Sequence, residues 1–213
     1  MNNVNRPLLW PLALLTLIAL AGPPVRAQNL SFGSPLSFQS QLTRDDQVQL
    51  FTFSLDAFSL VSVRTWSYAG GVNANGVPIA RGGFDPVLSL FHGSGLLLAR
   101  DDDNDFGLGY VLPDRVTGNA WDAYLEIELD PGSYTVAISQ YDNVALGPSL
   151  SDGFARAGEG NFTGGPFLDR EGNPRSGRFA LDITVIPEPG TGVLLLPALL
   201  PLAGIFLRRR SRA

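Results

Sequence analysis

Hydrophobic and polar residues alternate with a period of two over several short stretches, and helical periodicity is nearly absent from the middle of the chain. In YLEIEL (124–129), Leu125, Ile127 and Leu129 share one face, while Glu126 and Glu128 share the other. In RFALDITV (178–185), Phe179, Leu181, Ile183 and Val185 point one way, and Arg178, Asp182 and Thr184 point opposite. YTVAIS (134–139) alternates similarly. This pattern marks antiparallel strands buried on one face. VQLFTF (48–53), LVSVRTW (60–66), PVLSLFH (86–92) and LLLAR (96–100) read as further strands. Gly93-Ser94-Gly95 predicts a tight hairpin, and Asp130-Pro131-Gly132-Ser133 predicts a turn between the next pair. Seven or eight short strands separated by Gly, Pro and Asp turns predict an all-β fold, an antiparallel β-sandwich or jelly roll.

Two connections are long. One runs over about 67–85 and the other over about 142–177, the second rich in glycine. Loops of this length in a compact domain are expected to be functional or partly disordered.

The two ends carry a different pattern. At the N-terminus, Arg6 precedes an apolar run from Leu8 to Ala21, followed by Gly22, Pro23, Pro24 and Val25-Arg26-Ala27. A basic start, a short apolar stretch and small residues at positions −3 and −1 make a secretory signal peptide. It is expected to form a helix and to be cut between Ala27 and Gln28. A permanent anchor is disfavoured, because the run is shorter than a span of roughly 20 residues and is broken by Pro11.

At the C-terminus, an apolar stretch over 191–207 is followed by Arg208, Arg209, Arg210 and Arg212. Its length of about 25 Å is at the low end for a transmembrane helix, which needs to cross about 30 Å. The arginines place this end in the cytoplasm and the preceding chain outside. Directly before the span stand Pro187, Glu188 and Pro189. This order of PEP motif, apolar span and arginine cluster resembles the PEP-CTERM sorting signal of exported bacterial proteins. The resemblance covers 187–213 and implies processing by an exosortase near the motif; the alternative is a plain C-terminal anchor. The chain thus divides into a signal peptide (1–27), one domain (28–186) and a sorting signal (187–213).

Composition then narrows the function. The domain of 159 residues is large enough for one core. The chain has no cysteine, so no disulfide holds the fold. All fifteen basic residues are arginines, and between residues 28 and 189 nine of them face all twenty acids, a net charge of −11. Such acidity repels nucleic acid and favours divalent cations.

The run FDPVLSLFHGSGLLLARDDDND, followed by WDAYLEIELDPGSYTVAISQYDN, resembles the bacterial pre-peptidase C-terminal (PPC) type of β-sandwich. The likeness spans about 47–185. It implies an accessory, non-catalytic module, some members of which bind calcium. Where that family commonly has an aspartate after the Phe, this chain has His92.

Residues 99–107 read ARDDDNDFG. Calcium takes six to eight oxygen ligands, and Asp101, Asp103 and Asp105 have the spacing that opens an EF-hand. The rest of that motif is missing, since Phe106 and Leu112 stand where glycine and glutamate belong. Asp85, before one strand, and Asp122, before another, are expected to face this loop and complete a site. The competing reading is a solvated acidic turn, with Arg100 and Arg115 as partial counter-charges.

Catalytic constellations are missing from the sequence. His92 is the sole histidine and sits at a hairpin, so neither a nucleophile–base pair nor a zinc site can be assembled around it. Glu126 and Glu128 fall on a solvent face. The reading is a non-enzymatic protein of the cell surface or extracellular matrix. It would be exported by the Sec machinery, held transiently in the inner membrane and stabilised by calcium. The alternative is a carbohydrate-binding module for exopolysaccharide, with Trp66, Tyr68, Trp121 and Tyr141 as aromatic platforms.

Overall fold

A computed structural model describes residues 27–103 and 110–187. The expected signal and membrane helices lie outside these residues, as do Asp105, Glu188, Pro189 and Arg208 to Arg210. The described residues contain no α-helix, only a single 3₁₀ turn at Leu150–Asp152.

Eleven strands follow one another in the described residues: β1 (Gln28–Asn29), β2 (Leu36–Gln41), β3 (Val48–Leu55), β4 (Ser59–Trp66), β5 (Gly71–Val72), β6 (Pro78–Ile79), β7 (Pro86–His92), β8 (Leu97–Asp101), β9 (Tyr124–Leu129), β10 (Gly132–Gln140) and β11 (Arg178–Ile186). Nine of them build two sheets, in the orders β1-β3-β10-β7-β8 and β2-β11-β4-β9, and β5 with β6 makes a small separate hairpin. All pairings are antiparallel except the short β1–β3 contact. The fold is a β-sandwich.

The alternation read in the sequence is what fills its core. Phe51, Phe53 and Leu55 of β3, Leu88 and Leu90 of β7, and Val136 and Ile138 of β10 face Val61 and Val63 of β4, Leu125 of β9, and Phe179, Leu181 and Ile183 of β11. Glu126 and Glu128 point to solvent, as their phase requires.

One sequence expectation needs correction. The turn at 130–131 does not close a hairpin: β9 belongs to one sheet and β10 to the other, so this short link crosses between layers. The link from β3 to β4 crosses likewise. Spacing and turn residues cannot tell such a link from a hairpin, because both reverse the chain over a few residues. The long connection over 142–177 packs against the sandwich. Its Ala145 and Phe154 pack on Phe91 and Ala137, covering the outer face of β7 and β10. That is why β7 is buried on both faces.

Strand β2 was not apparent from the sequence. Its outward positions carry Ser and Gln rather than β-branched residues, and it pairs only with β11 at the sheet edge.

Replacing Ile138 by Ala should cost about 2–5 kcal/mol, the range for emptying a sealed aliphatic site. Glu128→Ala should stay within about 0.5 kcal/mol. Urea unfolding of both variants checks the assignment of the two faces.

Candidate metal centre

Asp85 immediately precedes β7, whose first residue is Pro86, a position where a strand loses no ladder donor. Pairing of β7 with β10 brings the Tyr141 N–H to the Asp85 carbonyl at 2.8 Å. On the other side of β7, β8 ends at Asp101, opposite Leu88. The chain then leaves the sheet beside Asp85. Carboxylate oxygens of Asp85, Asp102 and Asp103 consequently lie within 4.8 Å of one another.

The three are not equivalent. Asp102 is exposed and Asp103 half-buried, whereas Asp85 is only 2% exposed and its Oδ1 has no hydrogen-bond partner. A buried carboxylate oxygen without a donor is costly in its charged form. Burial, reinforced by Asp103, Asp102, Asp122 and Asp169, pushes the Asp85 carboxyl up to about 9. Burial also raises Asp102, against the opposing charges of Arg100 and Arg170. Three carboxylates offer only hard oxygen donors, which suit calcium or magnesium and not a thiophilic metal.

Of the other sequence-predicted ligands, Asp105 lies outside the described residues, and Asp122 and Asp101 make hydrogen bonds within the fold. Asp122 accepts hydrogen bonds at Oδ1 from the N–H groups of Ser67 (2.6 Å) and Tyr68 (3.2 Å) and from Thr65 Oγ1 (3.1 Å), and at Oδ2 from the Ala69 N–H (2.9 Å). Its lone pairs are committed to folding the segment after β4. Burial raises its carboxyl to about 6, and those same hydrogen bonds work against the rise. Asp101 accepts the Tyr124 N–H at 2.9 Å. This bond ties β8 to β9, each the last strand of its sheet, and so closes one open edge of the sandwich. Asp102 takes the place expected for these two. The 1-3-5 spacing favoured alternate aspartates, but β8 ends at Asp101, and beyond it consecutive side chains can converge.

A buried polar network stands nearby. Arg81 holds Asp114 through two bonds of 2.7 and 2.8 Å, which keep that carboxyl well below its usual range. Tyr68 donates to Asp169 (2.9 Å), Arg175 Nε reaches the same oxygen (3.0 Å), and the Arg175 guanidinium lies 3.7 Å above the Tyr68 ring. Tyr68 is therefore fully buried and cannot serve as a sugar platform, and Trp121 tilts against it at 4.9 Å. Trp66 is held between Arg64, 3.6 Å from its ring, and Gly71. Tyr141 is half-buried beside Asp85. His92 is exposed at its hairpin, where Nδ1 meets the Ser94 hydroxyl at 2.9 Å.

No protein-family model matches the chain, and no curated protein matches it. Among solved structures, it is similar to the crystal structure of the pre-peptidase C-terminal domain of a collagenase from Bacillus anthracis. The identity is 12% and the TM-score 0.36, with 78% of this chain and 99% of that chain covered.

Two predictions follow from the geometry of the carboxylates. Asp122→Ala leaves three backbone donors in or near the interior without an acceptor and should cost on the order of 3–5 kcal/mol, each buried unpaired donor being worth about 1–3 kcal/mol. Denaturant unfolding measures it. Asp85 sets a pH dependence in EDTA. Below the unfolded value of 3.8 both states carry the proton; above it only the folded state keeps it. The Asp85 contribution is then lost as pH rises toward about 9. Unfolding free energies between neutral and alkaline pH should fall in the wild type and fall less in Asp85→Asn.

Proposed function

We propose that this chain is an exported, non-catalytic β-sandwich module that binds calcium at Asp85, Asp102 and Asp103 on its way to the cell surface or extracellular matrix. The carrying observation is that Asp85, buried and with an unpartnered Oδ1, brings a carboxylate oxygen within 4.8 Å of those of Asp102 and Asp103. A divalent cation supplies the charge compensation that this oxygen lacks. The solvated-turn reading fits Asp102 but not Asp85, which is inside the protein.

The export reading rests on the two chain ends, and the domain supports it. Among the described residues the first strand begins at Gln28 and the last ends at Ile186, so a cut after Ala27 and one near Pro187 spare every strand described. Both points lie at one end of the sandwich, since β1 runs beside the end of β3 while Ile186 pairs with Leu60 at the start of β4. There Phe32 and Phe58, 68% and 52% exposed, flank an apolar groove that includes Pro187. An apolar rim at the exit of the tail suits contact with the membrane surface during transit. In this reading the Sec machinery and an exosortase are the processing partners.

Calcium at 100 times its dissociation constant would stabilise the fold by about 2.7 kcal/mol. For a domain of this size that raises the melting midpoint by roughly 5–10 °C relative to EDTA. Asp85→Asn should abolish the shift and melt at or above the wild type in EDTA, because the buried carboxyl must take up a proton on folding and the amide need not. Equal responses of the two proteins to calcium would overturn the site.

Processing is tested separately. N-terminal sequencing of the exported protein should begin at Gln28, and its mass should lack Arg208 to Arg210. Retention of those arginines in a host with an active exosortase would leave a plain anchor.

A further inference from the structure

The outer face of the four-stranded sheet carries a groove of about 350 Å³, at the lower end of the range for small-molecule sites. It shares no residue with the carboxylate group at Asp85. Across it, Asp182 of β11 stands directly opposite Arg64 of β4, and Arg64 stands opposite Tyr124 of β9. Opposite charges in this register usually pair. Here Arg64 lies over Trp66 instead, and Asp182 Oδ2 is occupied by the Trp66 indole N–H (2.6 Å) and the Ala74 N–H (2.7 Å).

That arrangement leaves one atom of each charged group over. Asp182 is 6% exposed, yet its Oδ1 has no hydrogen-bond partner, and Arg64 Nε has none either. Beside them Tyr110, 40% exposed, stacks on Tyr124 with ring centroids 4.6 Å apart and planes 12° apart. One ring face is used by Tyr124, and Tyr110 lines the groove.

An unused acceptor, an unused donor and an aromatic face define the ligand. A hydroxyl both donates and accepts, so neighbouring hydroxyls can satisfy Asp182 and Arg64 together. The apolar C–H face of a sugar ring would rest on Tyr110. The two charges cancel, and the exposed Glu126, which accepts the Tyr124 hydroxyl at 2.8 Å, makes the rim slightly acidic. An anionic ligand is disfavoured. An extended peptide is disfavoured too, because β4 and β11 are interior strands whose backbone groups are already paired on both sides. We propose that this groove binds a neutral saccharide, held by Asp182, Arg64 and Tyr110.

The test uses the full chain in a detergent without a sugar headgroup. It is screened against neutral di- to hexasaccharides of glucose, mannose, galactose and N-acetylglucosamine, with oligogalacturonates as the anionic arm. A neutral saccharide should bind saturably and shift the NMR resonance of the Trp66 indole N–H, which bonds to Asp182. Asp182→Asn and Tyr110→Ala should each weaken binding tenfold or more while the calcium-dependent melting shift persists. Tyr110→Ala keeps the test open should Asp182→Asn fail to fold. The proposal is overturned if no neutral saccharide binds, if only oligogalacturonates bind, or if binding survives in Tyr110→Ala. An indole resonance that responds to no sugar would overturn it as well, since Ser37, opposite Asp182 on β2 and itself with an unpartnered Oγ, would then satisfy the carboxylate alone. Loss of the calcium shift with retained sugar binding would overturn only the metal reading.

Discussion

A buried carboxylate that collects backbone N–H groups is the interaction on which the loops of this protein depend. Asp45 accepts the N–H groups of Asn161 and Thr163, and Asp46 that of Gly158. Asp114 takes Val116 and Thr117, Asp122 takes Ser67, Tyr68 and Ala69, and Asp169 takes Glu171 and Asn173. Charge-assisted bonds of this kind are about twice as strong as neutral ones. They also fix geometry, because a charge out of water is tolerated only while its donors converge on it. With no cysteine in the chain, these aspartates hold long irregular segments against the sheets in place of disulfides.

This changes the meaning of the chain's acidity. Seven aspartates are buried among the described residues: Asp45, Asp46, Asp85, Asp114, Asp122, Asp169 and Asp182. Much of the negative charge that composition assigns to the surface is therefore inside, engaged with backbone donors and with Arg81 and Arg175. It also explains what holds 142–177 against the sheets despite its glycine content. Asp45 and Asp46 hold it from the segment before β3, while Phe154 and Phe167 enter the hydrophobic clusters.

The sandwich was legible in the sequence because period-two alternation is local, and a strand such as β11 declares its buried face within a few residues. The sheet to which each strand belongs is not local. The β9–β10 link looks like a hairpin, and β2 has few β-branched residues to announce it. The candidate site was legible in part for the same reason. Asp85 and Asp103 could be paired by placing one strand end beside another. Asp101 and Asp122 could not be told from ligands, because their role depends on which backbone N–H groups turn toward them. Asp102 was hidden by the regular spacing of its neighbours. Of the four aromatic residues considered as sugar platforms, Tyr68 is buried and Trp66 is held between two neighbours, and neither contact has a sequence signature.

Once the clamping aspartates are accounted for, Asp85 and Asp182 are the buried carboxylates left with an unpartnered oxygen among the described residues. Their surroundings differ in a way that dictates different chemistry. Asp85 faces two further carboxylates, so the local deficit is positive charge, which a cation supplies and a hydroxyl does not. Asp182 faces an arginine whose Nε is also unpartnered, so the local charge is already balanced and the deficit is hydrogen bonds. A metal ion there would be repelled by Arg64, and an anion would be repelled by Asp182. A neutral donor–acceptor satisfies both. Charge compensation at one end of the sandwich and hydrogen-bond completion on the outer face of one sheet are separate demands, and one loop-clamping residue type creates both.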